Sequence, residues 1–156
     1  MEAGAGAVIV RVAADSNEAR ALIEALDADL RRRYPGVAIH GLRQDEARDP
    51  RLSFFVARVG GQAVGCAALR ELEPDTGEVK RMFVLEGFRG RGVARLLIAA
   101  LENHALTLGY HTLRVETGDS QPEAVNLYLS AGYTPISPFG QYAGNSYSRC
   151  FEKQLR

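Results

Sequence analysis

The stretch that most constrains this chain is "EVKRMFVLEGFRGRGVARLLIAALENHALTLGYHTLRVET", Glu78 to Thr117. It begins and ends on short β-type runs and holds one long amphipathic segment between them. Val93, Leu96, Leu97, Ala100, Leu101, His104, Ala105 and Leu108 recur there at helical steps, which predicts an α-helix with one apolar face. Strand, helix and strand in this order imply a right-handed crossover and a parallel strand pair. A chain with this unit has to build a sheet and pack the helix on one of its faces.

The flanking sequence supplies the other strands. "VIVRV" (Val8 to Val12) is a β-branched run. Next come Ala19, Leu22, Ile23, Leu26 and Leu30 at helical spacing, with Asp15 or Ser16 as N-cap. Arg31 to Arg33 suit the negative end of that helix's dipole, which makes the triplet a helix terminus rather than a binding patch. Residues 37–50 read as a loop with room for one helical turn. "LSFFVARV", a Gly60-Gly61 turn and "QAVGCAALREL" predict a hairpin, and "PDTG" leads into the strand at Glu78. "QPEAVNLYLSAG" predicts a short helix that starts near Pro122 and stops at Gly132. "YTPIS" and "YSRCFEKQL" end the chain as strands joined by the loop "PFGQYAGN". The class is α+β, with a mixed, mainly antiparallel sheet and one strand-helix-strand unit.

Composition narrows the functions. A length of 156 residues suits one domain over residues 1–156, and 46% hydrophobic with 24% charged residues is ordinary globular usage. Nineteen basic residues balance nineteen acidic ones, so no overall field gathers nucleic acid or an anionic membrane. Cys66 and Cys150 lack metal-ligand spacing and sit in apolar runs, as buried free thiols do. No run reaches the length of a membrane span and no secretory leader pattern is present, so a cytoplasmic protein is expected.

"FRGRGVAR" places two glycines and three arginines where the central helix begins. A helix start leaves about four backbone N–H groups without partners and carries partial positive charge. Gly90 and Gly92 let a ligand approach the backbone, and Arg89, Arg91 and Arg95 add charged donors, which predicts a phosphate or pyrophosphate site. A P-loop would need Lys-Ser/Thr after Gly92, where Val93 and Ala94 stand. A dinucleotide fingerprint would need a third glycine where Arg95 stands, and a βαβ start where hairpins stand.

The pattern that does match is Arg-x-x-Gly-x-Ala, met by Arg89, Gly92 and Ala94. Residues 78–136, with "NLYLSAGY" downstream, resemble the core of the GNAT superfamily of N-acetyltransferases in order and spacing, and the chain's end resembles that of many small bacterial members. The resemblance implies six to seven strands, a V-shaped splay between the two central parallel strands, and helices on both faces. It implies acetyl-CoA, or another acyl-CoA, as acyl donor and no metal. The backbone from Arg89 through Gly90, Arg91, Gly92, Val93 and Ala94 to Arg95 would hold the pyrophosphate. Met82, Phe83 and Val84 would bind the pantetheine arm by strand addition.

The resemblance also implies direct attack of an amine on the thioester. A primary ammonium, with a pKa of about 10, must first lose a proton. Glu78 is the candidate base and Glu116 the alternative. A backbone N–H in the bulged central strand near Phe83 would meet the oxyanion. Tyr128 would protonate the leaving thiolate, with Asn126 holding the cofactor. The acceptor, a small-molecule or peptide amine, would be set by residues 31–50 and 138–147, with Tyr142 and Tyr147 as pocket candidates. Glu71, Glu73, Asp75 and Glu78 cluster at one turn, where they read as a solvated face or as a lure for a cationic amine. His40, His104 and His111 lack a catalytic partner, and Tyr133 reads as core. Two other classes stay open: a non-catalytic acyl-CoA sensor, and a nucleic-acid module using the "RGRG" arginines. The balanced charge argues against the second. A homodimer is compatible with the pattern.

Overall fold

The computed structural model describes residues 6–37 and 44–155, so His40 lies outside the described residues. Its elements in chain order are β1 (Ala7–Val12), α1 (Asn17–Arg33), α2 (Gln44–Ala47), β2 (Leu52–Val59), β3 (Gln62–Glu73) and β4 (Thr76–Val84). Then follow α3 (Val93–Thr107), β5 (Thr112–Gly118), α4 (Pro122–Ser130), β6 (Thr134–Ile136) and β7 (Ser148–Gln154). The seven strands form one sheet in the order β1-β2-β3-β4-β5-β7-β6. Only β4 and β5 pair in parallel; the other neighbours are antiparallel. The α3 crossover produces that parallel step, as its place between two strands requires.

Each face of the sheet carries its own apolar layer. Ala19, Leu22 and Leu26 of α1 pack on Phe54, Val56, Cys66, Ala68 and Phe83. On the opposite face α3 and α4 cover Leu69, Val79, Leu113 and Val115. Ser16 caps α1, its side chain accepting from the Ala19 N–H at 3.2 Å. The α3 stripe differs from the periodic expectation in two places. Ile98 is buried, while Leu108 is 46% exposed. The helix ends at Thr107 and Leu108 is its C-cap, its N–H still donating to the His104 carbonyl at 3.2 Å while its side chain lies exposed at the helix end. His104 is half-buried, its Nε2 2.9 Å from Ser53 Oγ and its ring edge-on to Phe55.

One irregularity shapes the site. The register between β3 and β4 slips by one residue between Cys66 and Ala68. The extra residue on β4 falls at Arg81–Met82, and Arg81 has φ +57°, the one positive-φ non-glycine among the described residues. A bulge of this kind bends its strand and re-aims the side chains beside it. Lys80 and Arg81 both reach helices of the α1 face, Lys80 to Glu46 and Arg81 to Asp27.

Candidate active site

β4 and β5 pair only from Thr76–Val79 to Thr112–Val115. Beyond that point β4 stays on β3 as far as Val84, and β5 stays on β7 as far as Gly118. The strands therefore diverge, and a groove of about 430 Å³ opens between the far half of β4, the start of α3 and α4. Met82, Phe83, Val84, Arg89, Gly90, Gly92, Val93, Ala94, Arg95 and Asn126 all line it. A second pocket of about 120 Å³ shares Leu26, Met82, Gln121 and Ala124 with this groove and continues it towards α1.

The groove's polar groups are mostly backbone. Gly92 has φ 81° and ψ 10° and starts α3 without a side-chain cap. The amides of the first turn consequently face outward as a ready anion site. Gly90 also has a positive φ, 77°, with nothing within 4 Å of where a Cβ would stand. The peptide edges of β4 can be assigned from its bonds to β3. The Leu85 N–H donates to the Val64 carbonyl at 2.8 Å, and Phe83 pairs with Cys66 in the same register. Alternate residues of an antiparallel strand face opposite edges. Phe83 and Leu85 thus turn to β3, and Val84 turns to the wedge. In agreement, the Val84 carbonyl accepts from Arg89 Nε at 2.8 Å.

The three arginines are used differently. Arg89 is bound to β4 through that hydrogen bond and lies 5.6 Å from the centre of the Phe83 ring. Arg95 lines the groove mouth and donates to Ser130 Oγ on α4. Arg91 is exposed, with its guanidinium 5.2 Å from the Phe88 ring centre and outside the groove lining.

The second pocket draws its side chains from several elements. Tyr128 of α4, Glu116 of β5, Lys80 and Arg81 of β4, Tyr34 at the end of α1, and Tyr142 and Tyr147 of the β6–β7 connection all line it. Tyr128 is 2% exposed and its ring packs edge-on to Tyr133. Burial, with the nearby Glu116 carboxylate second, raises its phenol pKa well above the ordinary tyrosine value. Glu116 Oε2 accepts from Ser148 Oγ at 2.8 Å. Tyr133 is core, as expected, with its hydroxyl donating to Glu102 at 3.0 Å.

Glu78 does not line either pocket; it is 1% exposed and sits behind Tyr142. One oxygen accepts from Arg70 Nε and Nη2 at 3.1 and 3.0 Å, and the other accepts from the Tyr142 hydroxyl at 2.8 Å. Burial and then that carboxylate raise the Tyr142 pKa. The acidic turn lies apart from both pockets, none of Glu71, Glu73 and Asp75 lining either. It stands at the end of β4 where the strands are paired, and its Glu73 is 3.4 Å from Arg114.

Two residues at the end of α1, inside the 31–50 stretch expected to set the acceptor, bridge the site. Arg33 donates to the Ser120 carbonyl at 3.0 Å and to Glu123. The Tyr34 hydroxyl accepts from the Ser120 N–H at 2.9 Å. Gly118 makes room for it, because a Cβ there would lie 1.7 Å from that hydroxyl oxygen. A polar α1 terminus gives no hint in sequence that it crosses to a turn 86 residues away. Sequence reasoning missed Arg81 and Lys80, whose one signal is a pair of adjacent cations between Val79 and Met82.

Comparison with known proteins agrees with this geometry. The sequence profile of the Acetyltransferase (GNAT) family matches residues 19–133, and the chain belongs to that family. It is similar to an IAA acetyltransferase of Azospirillum brasilense, 38% identical over 86% of this chain and 88% of the relative. It is also similar to YsnE of Bacillus subtilis, named as an uncharacterized N-acetyltransferase, 33% identical over 78% of this chain and 82% of the relative. A solved Klebsiella pneumoniae structure, named for acyl-CoA N-acyl transfer, superposes with a TM-score of 0.85 at 33% identity and covers 96% of this chain and 98% of that one. The protein is an acetyltransferase of the GNAT type with a mixed α+β sheet.

Proposed function

We propose that the protein transfers an acetyl group from acetyl-CoA to a primary amine within a ternary complex. The observation that carries this reading is the wedge between β4 and β5, an unpaired strand edge that ends at an uncapped, glycine-led helix start. A structure of the same fold from Elizabethkingia anophelis, 17% identical with a TM-score of 0.68 and covering 96% of this chain, contains acetyl-CoA. The residues present fit such a ligand: amides from Gly90 to Arg95 for the pyrophosphate, the Val84 edge for the pantetheine arm, and Asn126 and Arg95 at the rim. The donor supplies an activated acyl thioester; everything else comes from this chain.

Glu116, in the pocket, takes the proton from the acceptor's ammonium, directly or through one water. Glu78 has both oxygens engaged by Arg70 and Tyr142 and serves instead to hold Tyr142 in place. The Val84 N–H, on the wedge edge, is the donor for the charge that develops on the acyl oxygen, in place of the Phe83 N–H, which faces β3. Tyr128 keeps its proton at neutral pH because burial raises its pKa, and gives that proton to the departing sulfur. A purely sensing role would have no use for Glu116 and Tyr128 sharing one pocket.

The test is release of free thiol from acetyl-CoA against a panel of amines, with Gly92→Val as control. Acetyl transfer to one amine is expected. Gly92→Val should weaken donor affinity by roughly tenfold, because a β-branched residue in the left-handed region costs at least about 1–2 kcal/mol. Tight CoA binding with no transfer to any amine would make the protein a sensor.

A further inference from the structure

The acceptor pocket has an electrostatic character that an amine alone does not explain. Its lining brings together two adjacent cations of β4, Lys80 and Arg81, and one acid, Glu116. Both cationic side chains are nearly sealed, 6% and 3% exposed, whereas their partners Glu46 and Asp27 are 22% and 20% exposed. The counter-ions therefore sit towards solvent and the cations sit inward. A bare ammonium or a polyamine entering here would meet like charge in a poorly screened site.

Arg81 is also incompletely used. Arg70, on the neighbouring strand, turns the Nε–Nη2 edge of its guanidinium onto one carboxylate oxygen of Glu78. Arg81 offers the same edge, but only Nη2 is engaged, by Asp27. Its Nε is buried without a hydrogen-bond partner among the described residues. Buried guanidinium donors are rarely left unpaired, and a planar fork of this kind matches a carboxylate. The backbone is strained at the same residue, with φ +57° in a non-glycine. Strain of this sort persists where the surrounding structure holds a side chain in a required place.

We infer that the acceptor is an amine that also carries a carboxylate, and that Arg81, backed by Lys80, is the residue that reads it. The carboxylate lies against the β4 bulge and the amine points across the pocket to Glu116 and Tyr128. With a pocket of about 120 Å³, the acceptor, or the part of it that enters, is of amino-acid size. This inference rests on the amine-acetylation reading above and narrows it.

The experiment compares amino acids with their amides, which keep the amine and lose the negative charge. Transfer from acetyl-CoA to each pair is measured, and so is direct binding of the N-acetyl amino acid and its amide by calorimetry, which needs no turnover. The acid is expected to exceed the amide by about tenfold or more in kcat/KM, since a site built for a polar group rejects the analogue that lacks it. In Arg81→Gln that ratio should collapse towards one through KM. Asp27→Ala leaves Arg81 in place and frees its fork, so the ratio should rise; this variant decides the matter if Arg81→Gln does not fold. Equal transfer to acid and amide by the wild type, or a ratio unmoved in both variants, overturns the inference while acetyl transfer stands. Preferential binding of the N-acetyl acid without any transfer supports it and overturns the transfer reading instead.

Discussion

The two halves of the active site are built on different principles. The groove that we propose for the donor is made of main chain: an uncapped helix start, two left-handed glycines and one strand edge freed by divergence. The pocket that we propose for the acceptor is made of side chains from α1, β4, β5, α4 and the β6–β7 connection, with Tyr142, Glu116 and Arg81 each held by a partner from another element. Backbone groups recognise what is common to every donor molecule and tolerate change in the neighbouring side chains. Paired side chains recognise a particular acceptor, and each pair can be rewired by one substitution. The family can accordingly keep one donor while its acceptors vary.

The sharpest way to break that division is at Tyr128, which lines the second pocket from the same helix that carries Asn126 and Leu127 into the groove. Tyr128→Phe removes the proton donor and keeps the buried ring against Tyr133 and Phe151. Turnover should fall by about 10²-fold or more, with donor affinity measured by calorimetry unchanged. Turnover that survives the substitution would leave Tyr128 as packing only, and the thiolate would then leave unassisted.

A second variant tests whether the halves are mechanically joined. In Gly118→Ala the new methyl would overlap the Tyr34 hydroxyl, which must then leave the Ser120 N–H. Overpacking of this kind typically costs about 1–3 kcal/mol, read as a lowered Tm. Because Tyr34 lines the acceptor pocket and Arg33 the donor groove, KM for the acceptor and Kd for the donor should both rise. A change confined to the acceptor side would show that the strap serves that pocket alone.

The same division decides what could be read in the sequence. The groove at the start of α3 was legible because its determinants are contiguous: the glycines and arginines from Arg89 to Arg95 sit between a strand and a helix that periodicity identifies. Hairpin turns, the Ser16 cap and the crossover were legible for the same local reason. The acceptor pocket was legible only as a set of candidates. Tyr142 meets Glu78 across 64 residues of chain, and nothing local reveals which carboxylate is shielded and which one faces the ligand. The resemblance implies a bulged central strand near Phe83, but its place at Arg81 was hidden because a positive φ is expected at glycine and not at arginine. Even the central helix misled at its end, where Leu108 keeps the apolar period after the helix has stopped.

The smallest predicted effect probes the support under the bulge. Cys66 Sγ donates to the Arg81 carbonyl at 3.2 Å, within the α1-side apolar layer. Cys66→Ala removes that bond at a cost of about 1 kcal/mol, and with it one anchor of the strand that aims Lys80 and Arg81. Acceptor KM should rise a few-fold at unchanged donor Kd; an equal change in donor affinity would mean that the bulge serves both halves. The pH dependence provides an independent check. Burial pushes the Cys66 thiol up to about 12 from an ordinary 9.0, so between those values the folded chain holds a proton that the unfolded chain has lost. Its contribution to stability is complete below pH 9 and is lost as pH rises towards 12, by at most about 1.4 kcal/mol per pH unit. Cys150, also raised by burial, and the buried tyrosines 128, 133 and 142 act with the same sign, the tyrosines starting from their ordinary 10.0. Denaturant titrations of Cys66→Ala should therefore show a shallower alkaline loss from about pH 9, and an unchanged slope would mean that the wild-type thiol is already ionised in the fold.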